Sequence, residues 1–157
     1  IYLNFVNIKK MKTLVPPPIV TIVFLFVIFF TKDLFRFSVT LPSPLGFIII
    51  FAGLMIIFIA ARQFKAANTT INPIKPENAS VLVSKGIFSY SRNPMYLGML
   101  LIIIGFSIIH NLMAVLVIMP LWVIYITNFQ IIPEEEAMEI LFKEDFLNYC
   151  KKTRRWI

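Results

Sequence analysis

Two short stretches of this 157-residue chain hold residue types at spacings that could do chemistry. The first is Ser-Arg-Asn-Pro-Met-Tyr-Leu-Gly, residues 91–98, at the head of a long apolar run. Arg92 and Asn93 there can point polar groups into a pocket. Tyr96 can offer a hydroxyl or a stacking face, and Gly98 can let a ligand approach the helix backbone. The simpler reading of the same residues is a helix start, with Asn93 as N-cap, Pro94 at the first helical position, and Arg92 and Tyr96 at an interface. The second stretch is Glu134-Glu135-Glu136, just after another apolar run. Acids in a first turn stabilise any helix by about 0.3–1 kcal/mol each. Three adjacent carboxylates also repel, and at about 100° per residue they cannot all face outward equally. Arg92 with one of these acids makes either a salt bridge or two walls of a site for a zwitterion. The rest of the chain adds little chemistry. Cys150 is the lone cysteine and His110 the lone histidine, and no group of residues has metal-ligand spacing.

These residues must be positioned by an apolar scaffold. The chain is 59% hydrophobic and only 15% charged, whereas soluble domains are about 45–50% apolar. Apolar segments cover about 14–30, 45–61, 93–109 and 112–132. Each approaches the roughly 20 residues that cross a bilayer as a helix, and helices leave no backbone group unpaired in lipid. The fold expected is therefore an all-α integral membrane domain occupying the whole chain, 1–157. Its four transmembrane helices form two hairpins, closed by a link containing Pro42 and Pro44 and by a tight His110–Asn111 turn. Pro120 is expected to kink the fourth span. A fifth helix is expected over 133–152. Its apolar positions 137, 138, 141, 142, 146 and 149 recur at helical steps, so it reads as an amphipathic helix at the cytoplasmic interface, with Arg154, Arg155 and Trp156 as a clamp.

The net charge of +7 follows from topology rather than nucleic-acid binding. Lys and Arg cluster in the N-terminal tail 1–13, in the 62–92 loop and in the C-terminal segment, while only Lys32 and Arg36 lie on the other side. The positive-inside rule then puts both termini and the 62–92 loop in the cytoplasm. Met11 opens MKTLVPPPIV like a natural beginning, so residues 1–10 read as an upstream extension. At 30 residues, the connection 62–91 is too long for a simple turn; loops of that length are usually functional or disordered, and Val81, Leu82, Val83, Ile87 and Phe88 are expected to fold it back onto the bundle.

In order and spacing, the run from Phe64 to Trp156 resembles the isoprenylcysteine carboxyl methyltransferase and phospholipid methyltransferase family of integral membrane enzymes. The matching pieces are TTINPIKPENASVLVSKGIF, then YSRNPMYLG opening a span, then PEEE, and a terminal Phe…Phe…Tyr…RRWI. The resemblance implies an S-adenosylmethionine pocket closed by the C-terminal segment. It places Arg92, Asn93, Pro94, Tyr96, Leu97, Gly98, Glu134 and Glu135 around the cofactor, with Glu136 at a variable position. Arg92 and Glu135 are the expected catalytic pair. The chain departs from the family pattern at Asn93, often His; at Gly86-Ile87-Phe88, for Gly-Pro-Phe; at Phe142-Lys143, for Phe-Gly; and at Phe146, for Tyr.

The activity implied is methyl transfer to a lipidic or prenylated acceptor, whether carboxylate, amine or thiol, with no metal and no nucleic acid. Such a reaction depends chiefly on holding donor and acceptor in attack geometry. Two other classes remain open at this point: a membrane reductase resembling sterol reductases, using NADPH, and a non-catalytic four-helix membrane module.

Overall fold

The computed structural model describes residues 15–33, 41–67, 79–110 and 114–157. Among them every regular element is helical, with no strand. Helix α1 is Pro17–Phe30, α2 is Ser43–Ala66, α3 is Pro94–His110, α4 is Ala114–Ile126 and α5 is Ile132–Lys152. A 3₁₀ turn, Gly86–Ser89, precedes α3, and a π-helical turn, Thr127–Ile131, joins α4 to α5. The expected basic residues Lys9, Lys10, Lys12, Arg36 and Lys75 lie outside the described residues, as does Asn111 of the expected tight turn.

Prolines open three of these helices, at Pro17, Pro44 and Pro94, where a missing N–H leaves no hydrogen bond unmade. Among the described residues, two helices are long and apolar enough to cross a membrane: α2, and the continuous helix that starts at Ala114. At 24 residues α2 is about 36 Å long, more than the roughly 30 Å of hydrocarbon. The apolar helices α1 and α3 are shorter, at 14 and 17 residues.

Packing departs from the expected α1–α2 hairpin, while α3 and α4, the second expected hairpin, lie in contact. The most extensive contact is between α2 and α3, and α1 lies against α3 and α4 rather than against α2. The cause is a seam of glycines. Gly46 faces Gly105 and Gly53 faces Gly98, so a Cβ at any of the four would sit 2.5–2.6 Å from the carbonyl oxygen opposite. The ascending numbers on one helix meet descending numbers on the other, which makes the pair antiparallel. Small residues that bring two backbones together are a common device for joining apolar helices.

The core has two parts. The larger surrounds Trp122, Ile103, Ile28 and Ile126, all fully buried. Trp122 Nε1 donates to Thr21 Oγ1 at 3.3 Å, and that hydroxyl donates to Pro17 O at 2.9 Å. The smaller part gathers Ala60, Phe88, Phe146 and Tyr149.

The expected boundary at Pro133 is not a break. The helix runs on from α4 into α5 through the π turn, which widens the backbone where the Pro133 ring would press on the carbonyl of Phe129. The break comes instead at Lys143, whose φ of 47° and ψ of −120° are non-helical. Glycine adopts such angles freely, and the resembling family has glycine at this position. A non-glycine residue held there costs about 1–3 kcal/mol, whereas glycine's added chain entropy costs about 0.5–1 kcal/mol. Lys143→Gly is therefore expected to stabilise the protein by on the order of 1 kcal/mol, seen as a midpoint about 2–4 °C higher in thermal unfolding. An unchanged or lower midpoint would show that the bend at Lys143 is not strained.

Candidate active site

A pocket of about 420 Å³ opens where the start of α3 meets the start of α5. This volume is within the roughly 300–1,000 Å³ of small-molecule sites. Arg92, Asn93, Pro94 and Tyr96 form one wall, with Glu134 and Glu135 opposite. Apolar side chains complete it: Pro16–Pro18 at the head of α1, Val81–Val83 before the 3₁₀ turn, Phe64 from α2, and Phe146 and Tyr149 from the end of α5.

Local structure explains how these walls are held. The 3₁₀ turn begins at Gly86 with φ 62°, a conformation that suits glycine. The Gln63 amide secures this turn to α2, its nitrogen donating to Lys85 O (3.1 Å) and its oxygen accepting from Ile87 N (3.3 Å). At the other wall, Gln130 of the π turn is fully buried and donates to Val15 O at 2.7 Å. That bond ties the head of α1 to the helix that carries the two acids.

Arg92 is the hub. Its guanidinium donates to Glu135 Oε1 at 2.8 and 3.2 Å, and to the carbonyls of Thr153 (3.0 Å) and Cys150 (3.3 Å). The Arg92 backbone N–H donates to Arg154 O at 3.0 Å, and Asn93 Nδ2 donates to Arg155 O at 3.0 Å. Tyr149 Oη donates to Phe88 O at 2.5 Å. Residues 149–156 therefore form a strap fastened across the opening of α3. Arg155 closes the strap from the other side with a 2.6 Å bond to Glu135 Oε2. Arg92 and Glu135 keep only 12% and 17% of their side-chain surface, whereas Arg155 keeps 38%. Bidentate and charge-assisted bonds of this kind are the strong ones.

Glu134 has a different environment. Tyr96 Oη donates to its Oε1 at 2.5 Å, and among the described residues no cation pairs with it. Burial pushes the Glu134 carboxyl up to about 8. The Tyr96 hydrogen bond opposes this rise and the neighbouring Glu135 adds to it. Because the folded-state value lies above the ordinary one, ionising Glu134 lowers stability as pH rises from about 4.5 through about 8.

Six of the eight sequence-derived residues thus line one pocket: Arg92, Asn93, Pro94, Tyr96, Glu134 and Glu135. Leu97 and Gly98 do not line it, and Gly98 meets the Gly53 backbone on α2 instead. Glu136 is exposed. Of the two readings of an arginine–glutamate pair, the structure contains the salt bridge, between Arg92 and Glu135. Sequence reasoning missed Met95, Met99 and Met138 as pocket wall. Nothing separates them from core methionines except their step along helices already known to open the site. Arg155 was read as an interfacial residue, and its bond to Glu135 spans 20 residues of chain.

A small-molecule pocket framed by a strapped arginine–carboxylate hub, in an all-helical apolar scaffold, defines a class of helical protein built to act on a ligand. The family model for phospholipid methyltransferases matches residues 42–145, more than half of the chain, and the chain belongs to that family. No curated protein and no solved structure gives a significant match.

Proposed function

We propose that the chain is an S-adenosylmethionine-dependent methyltransferase acting on a lipidic acceptor at the cytoplasmic face of a membrane. The observation that carries this reading is the pocket shared by the start of α3 and the two acids of α5, within a phospholipid methyltransferase family member. The donor set suits such a cofactor. Carboxylates and an asparagine amide fit its amino-acid end and ribose, and the rings of Phe64, Phe88, Phe146 and Tyr149 fit an adenine face or a cationic centre. Arg92, Asn93, Pro94, Tyr96, Glu134 and Glu135 would hold it, with Arg92 and Glu135 fixing the closed geometry. When bound, S-adenosylmethionine supplies an activated methyl group on a sulfonium, so the chain's own task is to align the acceptor and exclude water.

The outward faces of α1 and α2 are apolar over most of their length, including Phe47, Phe51, Phe58 and Phe26. Lipid suits these faces better than water does. This favours four spans, with α1 and α3 crossing alongside the two longer helices, and the distribution of Lys and Arg favours both termini and the 62–92 loop on the cytoplasmic side. A lipid would reach the pocket between the head of α1 and residues 81–83, with its chains left in the bilayer. An amine-headgroup phospholipid is the acceptor favoured, ahead of a prenylated carboxylate or a thiol.

Titration of detergent-purified protein with S-adenosylmethionine and, separately, with NADPH tests the cofactor. Saturable binding of the first alone is expected. Glu135→Gln should weaken it on the order of 10-fold, the equivalent of about 1.4 kcal/mol, by loosening the strap. Binding of NADPH instead would move the protein to the reductases, and binding of neither would leave a non-catalytic helical module.

A further inference from the structure

We infer that Glu134, positioned by Tyr96, is the catalytic proton acceptor of this site, taking the proton from a protonated amine acceptor so that the amine can be methylated. The inference rests on the function proposed above and assigns the one step that function leaves open. An alkyl ammonium has no lone pair and cannot attack a methyl group. Some group in the pocket must remove its proton.

Among the described residues the geometry leaves a single candidate. Glu135 has both oxygens engaged, Oε1 by Arg92 and Oε2 by Arg155. Arg92 is spent on Glu135 and two strap carbonyls. Tyr149 donates its proton to Phe88 O, at the edge of the strap. His110 packs against the rings of Phe29 and Phe106 at the opposite end of α3. The pocket-lining parts of α1, α2 and the 81–83 segment bring no titratable side chain. Glu134 remains, with Oε1 accepting from Tyr96 and no donor on Oε2 among the described residues.

The environment of Glu134 suits the task. A carboxyl raised to about 8 lies closer to an ammonium in proton affinity than an ordinary carboxylate does, so its ionised form can take that proton, and the ionised fraction grows as pH rises towards 8. Glu135 and Tyr96 face it from α5 and α3, and Arg92 and Arg155 both bond to Glu135 rather than to Glu134, a cluster of net charge +1. Proton and electron counts close. The ammonium gives H⁺ to the Glu134 carboxylate and becomes a neutral amine. The amine lone pair forms the N–C bond as the methyl's C–S bond breaks, and that bond's electrons leave with sulfur. The product is a methylated ammonium, and Glu134 gives its proton to solvent when the next ammonium lipid binds beside it.

Two measurements on the full chain in lipid nanodiscs test this. The first is infrared difference spectroscopy without cofactor. The acid C=O band that Glu134→Gln abolishes should be present at pH 7, titrate away near pH 8, and vanish at pH 7 when a phosphatidylethanolamine binds. The second compares two acceptors: phosphatidylethanolamine, and an analogue whose headgroup ends in an aminooxy group, which is neutral at pH 7. Glu134→Gln should lose on the order of 100-fold more in kcat/KM on the ethanolamine lipid than on the aminooxy lipid, whose smaller loss reports only weakened cofactor binding. Wild-type kcat/KM on the ethanolamine lipid should rise with pH up to about 8, and the variant's profile should be flat. Equal losses on both lipids, or a band indifferent to lipid, would overturn the proton role while leaving the methyltransferase reading intact. Failure of wild type to bind S-adenosylmethionine would overturn the methyltransferase reading itself.

Discussion

Arg92→Ala is expected to release the C-terminal strap and to cost about 3 kcal/mol of stability, the low end of what breaking a buried ion pair costs. The low end applies because Glu135 keeps Arg155, which is itself 38% exposed and so screened by solvent. The change nevertheless removes every side-chain bond from Arg92 to the strap and leaves the carbonyls of Cys150 and Thr153 without these donors. Hydrogen exchange across residues 149–156 should rise more than exchange elsewhere in the protein, and affinity for S-adenosylmethionine should fall with it. Arg92→Lys keeps the charge but not the fork that reaches a carboxylate and two carbonyls at once. It should recover less than half of the lost affinity. A double-mutant cycle with Glu135→Gln isolates the ion pair from the carbonyl bonds. If the strap exchanges no faster in Arg92→Ala, then Arg92 is not its fastener, and the sequence-stretch 91–98 acts only as a helix opening.

How much of this was legible beforehand depends on the range of each contact. The apolar runs became helices because composition and length decide that locally, and the prolines at 17, 44 and 94 mark starts that need no partner. The family pattern was legible because it is an order of short motifs. Helix pairing was not. A period of apolar residues says which segments are helical but not which faces meet, and the hairpin rule put α1 beside α2. In the sequence, Gly98 reads as a place where a ligand approaches the helix. Its partner, Gly53, lies on another helix. The split between the two acids was equally hidden. Glu134 and Glu135 are neighbours of identical type, and only the helix register after the π turn gives one to Tyr96 and the other to two arginines. No local signal in the 127–131 segment announces that turn, apart from Pro133 four residues after Phe129.

The glycine seam yields the second large effect, and it separates two readings of Gly98. A Cβ at Gly98 would sit 2.6 Å from Gly53 O, and one at Gly53 would sit 2.5 Å from Gly98 O. Both obstacles are backbone, so neither can be relieved by turning a side chain, and α2 and α3 must move apart. Overpacking of this kind costs about 1–3 kcal/mol, sometimes more. The seam's other pair, Gly46 and Gly105, is equally tight and lies seven residues away along each helix, about 10 Å from the first pair. Alanine at Gly46, Gly53 or Gly98 should therefore lower the unfolding midpoint by similar amounts. Binding should not follow the same pattern. Gly53 and Gly98 sit on the side of the seam nearer the pocket, where α2 ends in Gln63 and Phe64 and α3 begins at Pro94. Separating the helices there pulls apart two walls of the site, so Gly53→Ala and Gly98→Ala should both weaken S-adenosylmethionine binding, while Gly46→Ala should leave it nearly unchanged. Gly53 is absent from the pocket wall, so its effect can come only through helix spacing. If Gly98→Ala weakens binding and Gly53→Ala does not, then a ligand does approach the α3 backbone at Gly98, and the seam is not what sets the width of the pocket.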